Sequence, residues 1–243
     1  MLTMEIRKQA FWERSLIMAV ETKTDKLMWP IEAIQPVKDG DTVVLGGFGP
    51  LGYPAQLVKA LYLFSDAKDL HIALNAPNGM YLPTLDRLIA ERASHLTTTF
   101  VRTSRAATKF FKEGKLTLTP QGTFAERLRA AGAGIPGFYT PVGIGTMVAK
   151  GKEVKEFNGR QYLLEEALNA DVGFMQATKV DYDGNCYIEG AMKSFGALVP
   201  AASKYTVVEA EEIVPVGDIP SELITVSGIY IDGIVKVGMR HDQ

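Results

Sequence analysis

Four glycines fall within seven residues at Gly46-Gly47-Phe48-Gly49-Pro50-Leu51-Gly52, directly after the apolar run Thr42-Val43-Val44-Leu45. Glycine lets a backbone turn tightly and lets a ligand approach with no Cβ in the way. Tyr53-Pro54 follows and reads as the opening of a helix, because proline is pre-organised for a first helical turn. A strand, a glycine turn and a helix N-terminus together predict an anion-binding corner. Its anion could be a dinucleotide, a phosphate, or a carboxylate and thioester under reaction.

Gly47-x-Gly49-x-x-Gly52 satisfies the glycine pattern of dinucleotide sites. Such sites also need an acidic residue at the end of the second strand to hold a ribose hydroxyl. Here that strand ends in Leu74-Asn75-Ala76-Pro77-Asn78, and Asp66 and Asp69 lie before it, at the wrong end. Pro50 removes a donor from the turn. A nicotinamide-dependent dehydrogenase is therefore the weaker reading. Asn75 and Asn78 sit where an open parallel sheet collects ligands, although an Asn-rich turn would look the same.

Thr119-Pro120-Gln121-Gly122-Thr123 sets a neutral amide just ahead of a helix. Gln121 could donate to a carboxylate or carbonyl without changing the charge of a site; a plain polar loop is the competing reading. Arg102 and Arg105 follow the third expected strand, and arginine's fork suits a carboxylate or phosphate. A solvated surface pair competes. Asp181, Asp183 and Asn185 resemble part of a calcium loop, but its glutamate and spacing are missing, so a β-turn is expected. His71, His95 and His241 are far apart in sequence, and none has a metal-ligand neighbour, so no metal site is expected. No self-contained nucleophile with a base beside it is evident.

The elements that position these residues follow from periodicity. Thr42–Leu45, Leu70–Leu74, 97–101 and 116–119 read as strands. Residues 55–64, 82–93 and 106–113 carry helical spacing. The alternation predicts an α/β fold with a mainly parallel sheet flanked by helices. Thr123-Phe124-Ala125-Glu126 fits a capping box opening a helix to about residue 131. Gly132 to Gly137 and Thr140 to Gly145 read as a long functional loop. Beyond it, 172–180 and 186–188 form an expected hairpin about Asp183-Gly184, and 205–208 and 229–237 read as strands.

The chain of 243 residues is 47% hydrophobic and carries a net charge of -2, enough for one large core and with no basic field for nucleic acid. The lone cysteine, Cys186, fits a reducing compartment. The apolar patch 16–20 is too short for a signal segment, and no run is long enough to cross a bilayer, so a cytoplasmic protein without a membrane partner is expected. Residues 1–25 are expected to be an N-terminal extension, with the start before Met18 absent from the native chain, and 26–243 the folded domain.

Asp41 to Pro54, Thr119 to Arg129 and Gly132 to Thr146 together resemble the A (alpha) chains of family I CoA-transferases. The strand with Gly-Gly-Phe and then Gly-x-Pro, the Leu-Thr-Pro-Gln-Gly-Thr-x-Ala-Glu-Arg segment and the Gly-Ala-Gly-Ile-Pro-x-Phe-Tyr-Thr-Pro segment carry the resemblance. Glu153 to Glu166, with Phe157-Asn158-Gly159, continues it, and about Asp41 to Gly238 is covered. The resemblance implies the CoA-transferase (NagB/RpiA/CoA-transferase-like) fold and an enzyme that moves CoA between short carboxylic acids. A 3-oxo acid such as acetoacetate or 3-oxoadipate would exchange with succinyl-CoA or acetyl/butyryl-CoA. CoA thioesters are then substrates and no cofactor is implied.

In that family the thioester is attacked by a glutamate that lies within Ser-Glu-Asn-Gly on the B (beta) subunit. That segment does not occur here. The resemblance therefore implies a heterodimer or heterotetramer in which this chain supplies the opposing wall. Gly46, Gly47, Phe48 and Gly49 would face the nucleophile, while Asn75, Gln121 and Gly122 would line the substrate. Arg102 or Arg105 would meet a distal carboxylate. Departures leave the substrate open. Leu74-Asn75-Ala76-Pro77-Asn78 replaces the family's Ser-Asn-Asn-Ala-Gly, and Met192-Lys193-Ser194-Phe195 stands near its Arg-Asn-Phe. A related acyl-CoA hydrolase or ring-cleaving subunit, or a non-catalytic ligand-binding module, remains as an alternative.

Overall fold

The computed structural model of the protein describes residues 25–237. The expected extension, apart from Asp25, and His241 lie outside the described residues. A short helix α1 (Pro30–Ala33) precedes β1 (Thr42–Leu45). Helices α2 (Ala55–Phe64), α3 (Pro83–Arg92) and α4 (Arg105–Lys112) then alternate with β2 (Leu70–Leu74), β3 (Ala93–Thr98) and β4 (Leu116–Leu118). Each step places the next strand parallel beside the last. Helix α5 (Gln121–Gly132) leads into β5 (Gly137–Thr140), β6 (Val154–Phe157) and β7 (Arg160–Glu166), which pair antiparallel in the order β5-β7-β6.

The chain re-enters the main sheet through β8 (Ala170–Asp181), which pairs parallel on the other side of β1. A hairpin returns along β9 (Cys186–Tyr187), antiparallel to β8. Helices α6 (Lys193–Gly196) and α7 (Val199–Ala202), then β10 (Ser203–Val214) and β11 (Gly233–Lys236), complete the order β11-β10-β8-β1-β2-β3-β4. Strands β2 to β4 thus grow away from β1 in one direction, and β8, β10 and β11 in the other. The C-terminal ends of β1 and β8 therefore form a topological switch point, where an open α/β sheet leaves a crevice.

Strand periodicity explains the two cores on either side of β1 and β2. Val43, Leu45, Ile72 and Leu74 pack against Leu57, Leu61, Leu88 and Phe110 of α2, α3 and α4. Val44 and Ala73 point the other way, against Phe124 and Leu128 of α5 and Val199 of α7. Residues on alternate positions of a strand face opposite sides, so both faces are covered and the strands read as continuous apolar runs.

Several expectations need correction. The capping box does not form: α5 begins three residues earlier, with Pro120 at the cap position, and Thr123 is buried within the first turn. Glu126 instead pairs with Arg129. The third strand starts at Ala93, directly after α3, and ends at Thr98; Phe100, which reads as strand-like, is exposed on the following turn. The long loop is interrupted by β5, which finds β7 as a distant partner. Ile229 and Tyr230 belong to an exposed single turn ahead of β11.

Two of the histidines, distant in the sequence, are neighbours in space. His71 and His95 occupy adjacent strands with ring centroids 5.0 Å apart, edge to face. Each imidazole Nε2 meets a threonine hydroxyl, Thr97 at 2.8 Å and Thr117 at 2.9 Å. No group of three or more His, Cys, Asp or Glu residues suited to a metal occurs among the described residues. Burial, helped by the charges of His95 and Arg127, lowers the His71 pKa to about 4. The folded value lies below the unfolded one, so this stabilisation is complete above about pH 6.5 and is lost as pH falls towards 4. The free energy of urea unfolding should therefore drop by about 2–3 kcal/mol more in the native protein than in His71→Gln between those limits. Parallel pH profiles would contradict it.

Candidate functional site

Asn75 directly follows β2 and is 4% exposed. Its main-chain oxygen accepts from Thr99 N at 2.9 Å, Thr98 Oγ1 at 2.9 Å and Thr99 Oγ1 at 2.8 Å. Its side-chain Oδ1 accepts from Gln121 Nε2 at 2.9 Å and from Thr99 Oγ1 at 2.9 Å. The ends of β2, β3 and β4 are thereby laced together at the C-terminal edge of the sheet. Asn75 and Gln121, 46 residues apart in sequence, are in contact. Gly122 follows Gln121 in the exposed first turn of α5, and a Cβ there would meet nothing within 4 Å. The Thr119 hydroxyl, buried at the end of β4, has no partner among the described residues.

The glycine turn leaves β1 at the switch point. Phe48 N donates to Leu51 O at 2.9 Å and Leu51 N to Phe48 O at 3.0 Å, closing a tight turn around Gly49 and Pro50. The turn is braced on two sides. Tyr53 OH donates to Ala76 O at 2.5 Å, and Asn78 Nδ2 donates to Gly49 O. Burial pushes the Tyr53 phenol up to about 12, which keeps it protonated as a donor. On the other side Phe48 stacks on Phe195, with centroids 6.2 Å apart. Glycine is required here: Gly47 has φ +119° and a Cβ on it would lie 2.9 Å from the Tyr53 ring, while one on Gly52 would lie 2.8 Å from Met192 Cγ. Asn78 thus serves as a brace for the turn.

The expected anion corner exists, but the protein fills it itself. The N-terminus of α2 faces Glu209, a residue of β10 that is 1% exposed. Leu57 N donates to its Oε1 at 2.6 Å, and the N–H groups of Gln56 and Ala55 add further bonds. Burial pushes the Glu209 carboxyl up to about 8 against the opposing effect of those donors. A pyrophosphate cannot take the place this carboxyl occupies, which removes the structural basis of a dinucleotide site. The sequence holds no local signal for Glu209, because the contact spans 152 residues.

Arg102 and Arg105 are exposed after β3, on the same sheet edge, and neither makes an ion pair among the described residues. The Asp181 carboxylate accepts from Asp183 N at 3.0 Å and Asn185 N at 2.8 Å, the expected turn. The ammonium of Lys26 donates to Asp183 O and Gly228 O at 2.8 and 2.7 Å beside it. Cys186 is buried, and its thiol is pushed up to about 12 by burial and by Asp181. The groups in mutual contact beside the glycine turn are thus neutral amides and hydroxyls, with the two arginines exposed farther along the same sheet edge.

Comparisons with known proteins bear on the family and the fold. A profile of the coenzyme A transferase family matches residues 28–237. The A subunit of succinyl-CoA:3-ketoacid coenzyme A transferase from Helicobacter pylori is 39% identical over 209 residues, covering 84% of this chain and 89% of that one. The A subunit of 3-oxoadipate CoA-transferase from Pseudomonas putida is 34% identical over 209 residues, covering 84% and 90%. The crystal structure of the acyl-CoA transferase YdiF from Escherichia coli O157:H7 superposes with a TM-score of 0.77 at 22% identity. That alignment covers 87% of this chain and 46% of the other, so the chain spans about half the length of that transferase.

Proposed function

The chain belongs to the coenzyme A transferase family, and from that premise we propose that it is the A subunit of a heteromer that moves CoA between short carboxylic acids, with a 3-oxo acid as one substrate. The observation that carries this reading is the pair of neutral amides, Asn75 and Gln121, in contact at the C-terminal edge of the sheet beside the braced glycine turn. The attacking glutamate belongs to a B subunit. Its carboxylate adds to the acyl-CoA carbonyl, the C–S bond breaks, and CoA leaves as a thiolate while an acyl-glutamyl anhydride forms. The thiolate then attacks the glutamyl carbonyl, releasing the first acid and leaving a glutamyl-CoA thioester. The second acid reverses both steps. No cofactor is needed, and the cytoplasm is the proposed place of action.

In this scheme Asn75, Gln121 and the Gly46–Gly49 turn form the wall opposite the glutamate, and Gly122 leaves room beside it. Neutral donors stabilise a developing oxyanion without trapping the glutamate in a permanent ion pair. Co-expression with a B subunit of the same family tests the reading. The heteromer should exchange CoA between succinyl-CoA and acetoacetate, and this chain alone should not. Absence of exchange with every acid tried would overturn it.

The proposed docking face for the B subunit is the group of exposed apolar side chains beside the glycine turn. Met80 and Tyr81, on the turn after β2, are 74% and 69% exposed, and Leu51 on the glycine turn is 53% exposed. Aromatic anchors dominate such interfaces. Tyr81→Asp should therefore weaken the heteromer by about 2 kcal/mol or more, roughly 30-fold in Kd, while the melting temperature of this chain stays unchanged. Sedimentation of the mixed subunits reads the first quantity, and undiminished association would contradict the placement.

Arg102 or Arg105 is assigned to the distal carboxylate of a dicarboxylic substrate, since both are exposed on the site edge without ion-pair partners among the described residues. Loss of a charge-assisted pair costs about 1.5–3 kcal/mol, so one of the two alanine variants should raise KM for 3-oxoadipate about tenfold to a hundredfold and leave acetoacetate unaffected. Unchanged KM in both variants would remove the assignment.

A further inference from the structure

The hydroxyl of Thr99 lies within hydrogen-bond distance of both oxygens of Asn75, 2.8 Å from the main-chain oxygen and 2.9 Å from Oδ1. Gln121 Nε2 approaches the same Oδ1 at 2.9 Å. With Oδ1 held from two sides, the Asn75 Nδ2 group is left to point elsewhere. It donates to no protein atom among the described residues, and it is not among the fully buried polar atoms that lack a partner. We propose that Thr99 is a positioning residue: it fixes the Asn75 amide so that Nδ2 faces the cleft as the donor to the reacting carbonyl or carboxylate oxygen.

The division of labour follows from side-chain chemistry. Gln121 is an exposed residue with a flexible side chain at the first position of α5, so by itself it holds the amide loosely. Threonine is β-branched and stiff at χ1. Thr99 is further anchored by its own N–H, which donates to Asn75 O at 2.9 Å. A preorganised donor needs this kind of support, because a displacement of about 1 Å at a reacting centre costs about a hundredfold in rate.

The inference rests on the proposed CoA-transferase reading of the site. It is tested on the heteromer, with succinyl-CoA and acetoacetate as substrates. Thr99→Val keeps shape and main chain but removes the hydroxyl. It should lower kcat about tenfold to a hundredfold with KM little changed, and Thr99→Ser should restore most of the rate. Asn75→Asp keeps oxygen but removes the amide donor, and should lose about a hundredfold or more. Full kcat in Thr99→Val, equal loss in Thr99→Val and Thr99→Ser, or activity retained in Asn75→Asp would each overturn the proposal. A crystal structure of the Thr99→Val chain gives a readout independent of turnover. The Asn75 amide should rotate away from Gln121, and an unchanged contact would overturn the positioning role. A rotated amide together with an inactive native heteromer would count against the reaction and leave the positioning intact.

Discussion

Glu209→Ala should lower the stability of the protein by about 3–5 kcal/mol, a fall of roughly 6–20 °C in melting temperature for a domain of this size. The carboxyl is 1% exposed and receives main-chain N–H groups from the first turn of α2. Removing it leaves those donors buried and unpaired, and each such group carries a desolvation cost of about 1–3 kcal/mol. The same contact ties β10 to the helix that follows the glycine turn, so the loss extends across the switch point. The folded pKa lies above the unfolded one, so the stabilisation due to the protonated group is complete below about pH 4.5 and declines as pH rises through about 8. Glu209→Gln does not titrate and should show a flatter profile over that window. A Glu209→Ala protein that melts within about 2 °C of the native one would show that α2 is capped in some other way.

Gly47→Ala is the second large effect. The backbone at Gly47 has φ +119°, which an L side chain rarely adopts, and the new Cβ would lie 2.9 Å from three atoms of the Tyr53 ring. That ring cannot retreat, because its hydroxyl is bonded to Ala76 O and the residue is 8% exposed. Strain of about 1–3 kcal/mol adds to overpacking of about 1–3 kcal/mol, giving a total of about 2–6 kcal/mol. Gly49→Ala is the control: φ is +58° but no atom lies within 4 Å of its Cβ position. It should cost only about 1–2 kcal/mol. If the turn lines the active site as proposed, a heteromer with any Gly47→Ala chain that folds should exchange CoA about a hundredfold more slowly. Equal stability of the two variants would refute the account of Gly47.

The two substitutions also show what the sequence could and could not disclose. The strand, glycine turn and helix around Gly47 are local features, and β1, α2 and β2 have the boundaries that periodicity predicts. Glu209 is invisible locally, because its role exists only once β10 lies beside β8 and α2 packs across them. Asn75 and Gln121 stand out as neutral polar residues at strand and helix ends, yet their mutual contact needs the parallel register of β2, β3 and β4. Thr99 stands within Thr99-Phe100-Val101-Arg102, which resembles the 3-oxoadipate type, but nothing local in that segment points to its contact with Asn75. The antiparallel sheet is not legible locally, because Gly and Pro from 132 to 145 read as loop. Asn158-Gly159, with φ +53° and +76°, was the readable hairpin signal within it. The neighbouring His71 and His95 show the same limit: they are distant in the chain, and one strand spacing separates them in space.

Mass measurement of both subunits after the heteromer is incubated with succinyl-CoA alone tests most directly whether this chain forms the wall of the site and another chain supplies the nucleophile. The thioester adduct of CoA should appear on a glutamate of the B subunit, with the mass of this chain unchanged. A CoA or acyl adduct on any residue of this chain, formed at the rate of turnover, would contradict that claim.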